Sequence, residues 1–436
     1  MRIVRSLLAL VIGIAITSPP RVLAQTVPQA FVGAHLIPIT GPDVADGVLI
    51  VRDGRISAVG PTSSTPIPDD AERHDATGLT IMPGLVDTHS HIGNPEGGDR
   101  SAAFHASVRV LDSVNVRDAR FQKAQAGGIT TVNIMPGSGH LLSGQTVYAK
   151  LRDGKTLEEL MLYREDGQVA GGMKMANGTN PRRQPPFPGT RAKAAALVRE
   201  QFLAALDYRR RTLQADDASE QPARDLQMEG LLEVLDGTRV VHHHTHRHDD
   251  ILTVLRLADE FGFRTVLHHV SDAWAVAEEI AEAGVASSLV FVDSPGGKLE
   301  AKDSTFLSGA ALERAGATVG FHTDDGITDS RFFLRQAGLA VRAGMTRAGA
   351  LYGLTMAGAG MLELEDRIGS LDVGKDADFI VLSGDPLSVY TKVLETWVDG
   401  SNVFDRSTPA DRLYAVGGYG ASHDQGVFQE LEWEAR

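Results

Sequence analysis

The sequence predicts an α/β fold, namely a (β/α)₈ TIM barrel with a small β-sandwich domain built from both chain termini. In the middle of the chain, short apolar runs alternate with helical stretches. Eight such strands over about 275 residues fit a barrel, whose usual size is about 250 residues. Both ends are instead rich in strand signals: Asp53-Gly54 separates two apolar runs as a hairpin turn, and a similar pattern returns over 368–404.

Polar residues mark the ends of most of the eight predicted barrel strands. These ends lie near His91, Met135, Lys150, Lys174, His244, His269, Val292 and Asp324. Helices are predicted at 104–126, 156–163, 190–212, 249–262, 272–283, 309–315, 330–343 and 347–358. An open doubly wound sheet is the main alternative, but no glycine-rich phosphate loop follows a strand, which favours the barrel.

The predicted domain boundaries follow from these patterns. Residues 25–83 and 362–405 form the two parts of the β-sandwich domain, and residues 84–361 form the barrel. Residues 406–436 are predicted to be a loosely ordered tail. Residues 1–24 are predicted to be a cleavable signal peptide.

The predicted signal peptide determines the expected location. Arg2 and Arg5 precede an apolar run, residues 7–16, that is too short to span a bilayer. We therefore expect a periplasmic or secreted protein with no stable membrane insertion after cleavage, and a retained membrane anchor is the alternative. The formal net charge of −14 disfavours nucleic acid or anionic lipid as a partner. Because the chain has no cysteine, any metal must be held by histidine, carboxylate or modified lysine.

A pair of histidines follows the first predicted barrel strand. His89 and His91 lie in the segment Thr80-Ile-Met-Pro-Gly-Leu-Val-Asp-Thr-His-Ser-His-Ile-Gly93. Side chains two apart on an extended segment point to the same side, so both imidazoles can face one cation. A lone H-x-H is more often two surface histidines in a turn, and its weight therefore depends on the residues at later strand ends.

The later strand ends carry further candidates. The segment 240–250 holds five histidines, and strand alternation places His242, His244 and His246 on one side with His243 on the other. Of the neighbours His268 and His269, only one is expected to face the lumen of the barrel. Another predicted strand ends with His322 and Asp324 on one side and Asp325 opposite, and Lys174 lies within an apolar run.

These motifs together resemble the amidohydrolase superfamily. The order P-G-x-V-D-x-H-x-H, followed by Lys, His, His and Asp at successive strand ends, is typical of that superfamily. The segment His244-Thr-His-Arg-His-Asp-Asp-Ile is similar to the H-A-H-R-A-D-D-I segment of its imidazolonepropionase-like branch. The segment Ile368-Gly-Ser-Leu-Asp-Val-Gly-Lys-Asp-Ala-Asp-Phe-Ile-Val resembles the superfamily's C-terminal β-sandwich signature. The resemblance covers residues 30–405.

The resemblance implies one or two divalent metal ions, with Zn²⁺ as the first choice. The implied ligands are His89, His91, Lys174, His244, His269 and Asp324. In this arrangement His89 and His91 hold the more buried ion with Asp324 as a further ligand, and His244 and His269 hold the second.

The implied bridge between the two ions is Lys174, carbamylated by CO₂. Carbamylation needs a neutral amine, and burial beside cations depresses the pKa of a lysine in that direction. Lys150 is an alternative bridge and Glu165 is a weaker one.

The implied activity is that of an exported, metal-dependent amidohydrolase. A metal-activated hydroxide attacks an amide carbonyl of a peptide, an N-acyl amino acid or a cyclic amide. Asp324 serves as general base and then as general acid, with Asp325 as its competitor in Thr323-Asp-Asp-Gly. His322 or His246 would stabilise the oxyanion, and His246 is expected to contact the metal ligands or the substrate without being a ligand itself.

Several alternatives remain open. A lactonase or other esterase would use the same site, and a non-catalytic metal-binding barrel or a metal carrier built on the histidine-rich tract would need no turnover. His140, Arg182 and Arg183 are candidate substrate contacts, since arginines can bind a carboxylate in bidentate fashion, although ordinary loop polarity explains them as well. The expected partner is a small molecule or short peptide, and a homo-oligomer is compatible with the sequence.

Overall fold

The computed structural model describes residues 27–95, 98–217, 219–291 and 298–417. The predicted signal peptide, Val292 and most of the predicted tail lie outside these residues. Within these ranges, no helix has both the length and the apolar character that a membrane crossing requires.

Seventeen strands are found in the described ranges. They are β1 (Gln29–Leu36), β2 (Val44–Arg52), β3 (Arg55–Pro61), β4 (Glu72–Asp75), β5 (Thr80–Pro83), β6 (Leu85–Ser90), β7 (Ile129–Ile134), β8 (Leu142–Gln145), β9 (Val147–Lys150), β10 (Met173–Ala176), β11 (Val241–Thr245), β12 (Thr265–His269), β13 (Ala286–Leu289), β14 (Val319–Phe321), β15 (Phe379–Leu382), β16 (Val393–Val398) and β17 (Ser401–Asp405). They form three hydrogen-bonded sheets.

Eleven α-helices accompany these strands in the described part of the chain. They are α1 (Arg120–Ala126), α2 (Leu157–Leu160), α3 (Arg191–Gln214), α4 (Leu226–Leu235), α5 (His248–Phe261), α6 (Ala277–Glu282), α7 (Leu307–Ala315), α8 (Leu334–Arg342), α9 (Arg347–Leu354), α10 (Met356–Met361) and α11 (Pro409–Val416). Helix α5 begins with acidic residues in its first turn and buries Ile251, Val254 and Leu257, so its apolar stripe faces the core as its sequence pattern indicates. Helix α11 lies within the predicted tail and contacts α1 and β17.

The two ends of the chain build one eight-stranded sheet, in the order β17-β16-β15-β5-β1-β2-β3 with β4 also paired to β1. The predicted hairpin at Asp53-Gly54 is confirmed: β2 and β3 pair antiparallel, and both turn residues have positive φ, 52° and 75°. Strand β5 lies in the middle of the sheet, parallel to β1 and antiparallel to β15. The early and late segments therefore share one sheet, and the domain boundaries and the β-sandwich stay predictions.

The middle of the chain forms the mixed α/β region. Its strands make a six-stranded sheet in the order β14-β13-β12-β11-β10-β8 and a three-stranded sheet in the order β6-β7-β9. Strands β10 to β14 are parallel, and β6 is parallel to β7. Strands β8 and β9 depart from the all-parallel order of a (β/α)₈ barrel, because they run antiparallel to β10 and β7. The α/β class is confirmed, and the closed barrel stays a prediction because the described ladders form two sheets.

Hydrogen bonds outside the ladders hold the two sheets of this region together. At one side the Asp324 amide donates to the His89 carbonyl over 2.9 Å, which joins the ends of β6 and β14. At the other side the Thr146 amide donates to the Gly172 carbonyl, also over 2.9 Å, immediately before β9 and β10. The strand ends that carry the predicted site residues therefore lie side by side.

Gly84, between β5 and β6, is a position where a side chain does not fit. A Cβ added there would lie 2.2 Å from Thr130 Cγ2 and 2.3 Å from Thr130 Oγ1. We expect Gly84→Ala to lower the free energy of unfolding by about 1–3 kcal/mol, the usual cost of overpacking a core. Urea denaturation measures this loss, with Gly41→Ala as the control because nothing lies within 4 Å of its added Cβ. Equal midpoints for the two variants would contradict the prediction.

Candidate metal centre

His89 and His91 meet Asp324 at the adjoining ends of β6 and β14. Asp324 Oδ1 lies 3.3 Å from His89 Nε2 and 3.0 Å from His91 Nε2. His91 Nδ1 lies 2.8 Å from the Met135 carbonyl oxygen. A carbonyl only accepts, so Nδ1 carries a proton and Nε2 is the ring nitrogen that faces Asp324 and His89. The structure thus brings together the early histidine pair and the late aspartate that the sequence predicts.

Asp87 orients the two strand ends. Its carboxylate accepts hydrogen bonds from the Thr323 amide over 3.0 Å, from the Thr323 hydroxyl over 2.6 Å and from the His89 amide over 3.2 Å. Burial raises the pKa of Asp87 to about 7, against the lowering effect of these bonds. Asp87 is the aspartate of the P-G-x-V-D-x-H-x-H motif, so a motif position that the sequence analysis left without a role fixes the geometry of its neighbours.

Asp324, rather than Asp325, faces the histidines. Burial alone would raise the pKa of Asp324, but the hydrogen bond and charge of His91, with the charges of His322 and Lys174, lower it to about 2. Asp325 instead accepts hydrogen bonds from the amide and hydroxyl of Ser330. Asp324 has φ of +50°, so the backbone turns at this residue and the two carboxylates face different groups.

Lys174 lies beside the same histidines, fully buried on β10. Its Nζ is 3.2 Å from His89 Nε2 and 3.1 Å from Met135 Sδ. Burial lowers the pKa of Lys174 to about 7, with Asp324 opposing that effect. The neutral amine that carbamylation requires is therefore accessible near neutral pH.

The two alternative bridges do not reach this place. Lys150 Nζ is buried against Asp376 at 2.7 Å and Asp378 at 3.1 Å, and it also contacts Asp399. Burial alone would lower the pKa of Lys150, but these three carboxylates raise it, so the amine stays charged. Glu165 lies exposed in a turn. Both alternatives are wrong, because one side chain is an ion-pair partner of the terminal sheet and the other faces solvent.

His244, His246 and His269 form the adjacent part of the cluster. The ring of His269 lies 4.4 Å from that of His244 and 5.1 Å from that of His246, between ring centres, and His269 Nδ1 is 3.9 Å from Asp324 Oδ2. Burial lowers the pKa of His244 and of His269 well below its ordinary value and the pKa of His246 to about 4. All three rings are therefore neutral, the state in which imidazole binds a metal.

His268 faces the cluster as well, which corrects the expectation that only one of two neighbouring histidines can do so. Its ring lies 5.0 Å from that of His89 and 5.3 Å from that of His322. The physical reason is the backbone, since His269 has φ of +71° and Val270 has φ of +38°. Left-handed residues end the alternation of a strand, so consecutive side chains can point to the same region.

Hydrogen bonds between side chains extend from His268 and His322 into the interior. His268 Nε2 lies 3.0 Å from His242 Nδ1, and His242 Nε2 lies 2.9 Å from the Tyr148 hydroxyl. His322 is held between the Ser288 hydroxyl, 2.8 Å from its Nδ1, and His269 Nδ1, 3.2 Å from its Nε2. These contacts fix the orientation of the rings before any ligand arrives.

Among the residues that the structure describes, three groups of side chains could each hold a metal ion, with one ligand atom per residue and all ligand atoms of a group within 4.8 Å of one another. The groups are His89, His268 and His322; His89, His269 and Asp324; and His244, His246 and Glu300. Several of their nitrogens are buried without a hydrogen-bond partner, namely His89 Nδ1, both ring nitrogens of His244, His246 Nε2, His268 Nδ1 and His269 Nε2. Buried neutral imidazoles with unused lone pairs beside carboxylates fit a divalent cation such as Zn²⁺.

Glu300 is a site residue that the sequence analysis missed. It is buried in a short 3₁₀ turn, Leu299–Ala301, after the last predicted strand end before Asp324. Its Oε2 accepts from the Thr179 amide over 2.6 Å. No strand or helix pattern marks this loop residue, so only the folded chain shows that it approaches His244 and His246.

The three candidate substrate contacts lie in the segments that follow β7 and β10. The His140 ring is 5.2 Å from those of His105 and Phe187. Arg183 lies over the Phe187 ring at 3.9 Å and donates to the Gly139 carbonyl, and Arg182 has a buried Nε without a hydrogen-bond partner. His140 and Arg183 thus share an aromatic neighbourhood, and the substrate role of all three residues stays a prediction.

A mixed α/β fold that gathers imidazoles, a lysine and a carboxylate at adjoining strand ends is typical of metal-dependent hydrolases. Comparison with known proteins agrees. The chain belongs to the amidohydrolase superfamily, in its imidazolonepropionase-like branch, and the profile described as "Amidohydrolase family" matches residues 116–404.

Individual relatives extend over most of the chain. The crystal structure of an amidohydrolase from Thermotoga maritima MSB8 is 34% identical, with a TM-score of 0.80, and the match covers 86% of this chain and all of that one. An imidazolonepropionase of Sphingopyxis alaskensis is 26% identical over 84% of this chain and 94% of its own. Amidohydrolase tasK of Hapsidospora irregularis is 27% identical over 82% of this chain, which spans only 40% of that longer relative.

Proposed function

We propose that this protein is a metal-dependent amidohydrolase that cleaves a C–N bond in a small molecule or a short peptide. The observation that carries the proposal is the meeting of Asp324 Oδ1 with His89 Nε2 and His91 Nε2, at 3.3 and 3.0 Å, beside the buried amine of Lys174. These residues come from strands far apart in the chain. A structural role alone gives no reason to bury so many unsatisfied ring nitrogens together.

In this proposal the chain's side chains divide into ligands and proton carriers. His89, His91 and Asp324 would hold one divalent ion, and His244, His269 and carbamylated Lys174 would complete a second position. Zn²⁺ is the first choice, because imidazole and carboxylate are both common zinc ligands. The described chain has no cysteine, so these are the ligand types that it can offer. When bound, such an ion lowers the pKa of a water molecule toward neutrality and polarises the carbonyl of the substrate.

Asp324 is the residue that would move the proton. Its pKa of about 2 keeps it ionised at neutral pH, so it can accept a proton from the attacking water. It then returns that proton to the leaving nitrogen as the C–N bond breaks. His322 and His246 have pKa values of about 3 and 4, so both rings are neutral. His246 Nε2 has no hydrogen-bond partner and would donate an N–H to the carbonyl oxygen, whereas His322 would have to give up its contact with Ser288 or His269 to do so.

Export and a closed barrel belong to the same proposal. The basic and apolar pattern of residues 1–24 supports export through a cleaved signal peptide to the periplasm or the medium. The amide-to-carbonyl bonds that join β6 to β14 and the segments before β9 and β10 support closure of the two central sheets into one barrel. The site would then lie at the mouth of that barrel, as it does in barrel enzymes generally.

Removal of metal is the test of this function. Purified protein should contain a divalent ion and release amine from at least one member of a panel of dipeptides, N-acyl amino acids and cyclic amides. Dialysis against a chelator should abolish that release, and Zn²⁺ should restore it, because water at the reacting carbon then loses or regains its activation. Full activity after chelation, with metal analysis confirming that no ion remains, would contradict the proposal.

The same panel separates the alternatives. Lactones and simple esters are assayed beside the amides, and a preference for them by kcat/KM would assign the site to ester cleavage. Metal binding without turnover of any member would favour a non-catalytic barrel.

A further inference from the structure

We propose that His244, His246 and Glu300 form a cation site of their own, separate from the place where His89, His269 and Asp324 converge. The proposal rests on the proposed metal-dependent function and changes the assignment of the second ion. In this assignment the second ion is bound by His244 together with the Glu300 carboxylate, and no longer by His269 and the lysine carbamate. The proposal also makes His246 a ligand.

The first support is geometry. One ligand atom from each of the three residues lies within 4.8 Å of the other two. A four-coordinate zinc ion with bonds of about 2.1 Å holds its ligands roughly 3.4 Å apart, so small side-chain rotations would close the group around an ion. His244 and His246 also lie close together, with ring centres 4.7 Å apart and planes nearly perpendicular.

The second support is that each residue keeps a buried atom unused. Both ring nitrogens of His244, His246 Nε2 and Glu300 Oε1 are buried without a hydrogen-bond partner. Such atoms are costly to bury, and a cation would satisfy a nitrogen from each ring and the carboxylate oxygen together. His246 Nδ1 lies 2.8 Å from the Ser271 hydroxyl, and this contact holds the ring so that Nε2 stays available.

The third support is the way in which Glu300 is held. The Thr179 amide donates to Oε2 over 2.6 Å, and Arg191 Nη2 lies 3.4 Å from the same oxygen. Arg191 is mainly engaged by Asp250, with Nε 2.7 Å from Asp250 Oδ2. One oxygen of Glu300 is therefore fixed by the protein while Oε1 is left for a ligand.

Lys298 is the competing positive charge near this group. Its ammonium interacts electrostatically with Glu300 and Asp324, and its charge also acts on His244 and His246. A cation bound by His244, His246 and Glu300 would be repelled by Lys298. The proposal therefore predicts that removing the positive charge of Lys298 strengthens metal binding by His244, His246 and Glu300.

The experiment counts bound ions. Wild-type protein and variants are equilibrated with excess Zn²⁺, passed through a desalting column, and analysed for zinc per chain. We expect two equivalents for the wild type and one for Glu300→Gln or His246→Gln.

Asp250→Asn is the matched control. It changes the other acidic partner of Arg191 but leaves the three proposed ligands in place, and it should retain two equivalents. Lys298→Met should retain two and lose the second ion at least several-fold more slowly against a chelator.

Circular dichroism and thermal unfolding confirm that each variant is folded, and His246→Gln replaces Glu300→Gln if the latter is not. Equal zinc content in wild type, Glu300→Gln and His246→Gln would overturn the inference, as would a wild type that binds only one equivalent. Loss of one equivalent in Asp250→Asn to the same extent as in Glu300→Gln would also overturn it, because the effect would then be structural. Failure of the inference leaves chelator-sensitive turnover intact, whereas failure of the proposed function appears as turnover that survives chelation.

Discussion

Asp324→Asn is expected to lower kcat by about 10²- to 10⁴-fold, the range contributed by a positioned general acid–base group. Asparagine keeps the shape of the side chain but cannot accept the proton from water, and it is a weaker ligand than the carboxylate that lies 3.0 Å from His91 Nε2. The loss should appear in kcat and not in KM alone, because the proton is moved in the transition state. Amine release from the best substrate of the panel, at saturating Zn²⁺, is the measurement.

Asp325→Asn is the control for this change. The two aspartates are adjacent in sequence and both are ionisable, but Asp325 bonds to Ser330 and not to the histidines. We expect Asp325→Asn to retain turnover within about tenfold, well short of the loss expected at a general base. The opposite result, with Asp325→Asn inactive and Asp324→Asn active, would transfer the catalytic role to Asp325.

Lys150→Met is expected to lower the free energy of unfolding by about 3–5 kcal/mol, the usual cost of removing one partner from a buried ion pair. Lys150 is completely buried, and its ammonium is shared by the carboxylates of Asp376, Asp378 and Asp399. Without it, the buried negative charges are compensated only in part, by Arg152 at 2.6 Å from Asp399 Oδ2 and by Arg367 and Arg55 at 2.9 and 3.4 Å from Asp376, and Asp378 loses its cation. Urea denaturation at neutral pH measures the loss.

The stability loss of Lys150→Met is also expected to depend on pH. The stranded aspartates would have pKa values raised above those of the unfolded chain, so they add stability at low pH and that stability is lost as the pH rises through their folded pKa values. The deficit of Lys150→Met should therefore shrink as the pH falls from 7 toward 5. Lys193→Met is the control, because it breaks an exposed pair with Glu200 and should change stability by less than about 1 kcal/mol at either pH. A deficit for Lys150→Met as small as that of Lys193→Met would contradict the prediction.

Much of the candidate site could be predicted from local sequence. The strand period places His89 and His91 on one side, and the motif order places Lys174 and Asp324 at later strands; all four meet in the structure. Alternation along a strand accounts for the pairing of His89 and His91, and the convergence of strand ends accounts for their closeness to Lys174 and Asp324, whose choice was implied by the resemblance to the superfamily. The hairpin at Asp53-Gly54 follows in the same way from turn chemistry.

The rest depends on contacts that no local pattern encodes. His268 joins the cluster because the chain turns left-handed at His269, which strand alternation does not foresee. Glu300 reaches His244 and His246 from a loop, through its hydrogen bond from the Thr179 amide. The position of Lys150 at a strand end made it a candidate bridge, but its partners lie more than two hundred residues away. Long-range contacts decide the cases of Glu300 and Lys150, and the local backbone conformation decides that of His268.

The central place of β5 has a consequence for how the protein is made. This strand pairs with β1 on one side and with β15 on the other, and β15 begins at Phe379. During synthesis, β5 leaves the ribosome long before β15 is made. One edge of this apolar strand therefore stays unpaired until most of the chain has been synthesised. Truncation before residue 379 would therefore leave nascent chains that are open to aggregation, even though every histidine of the candidate metal centre and Asp324 are already present.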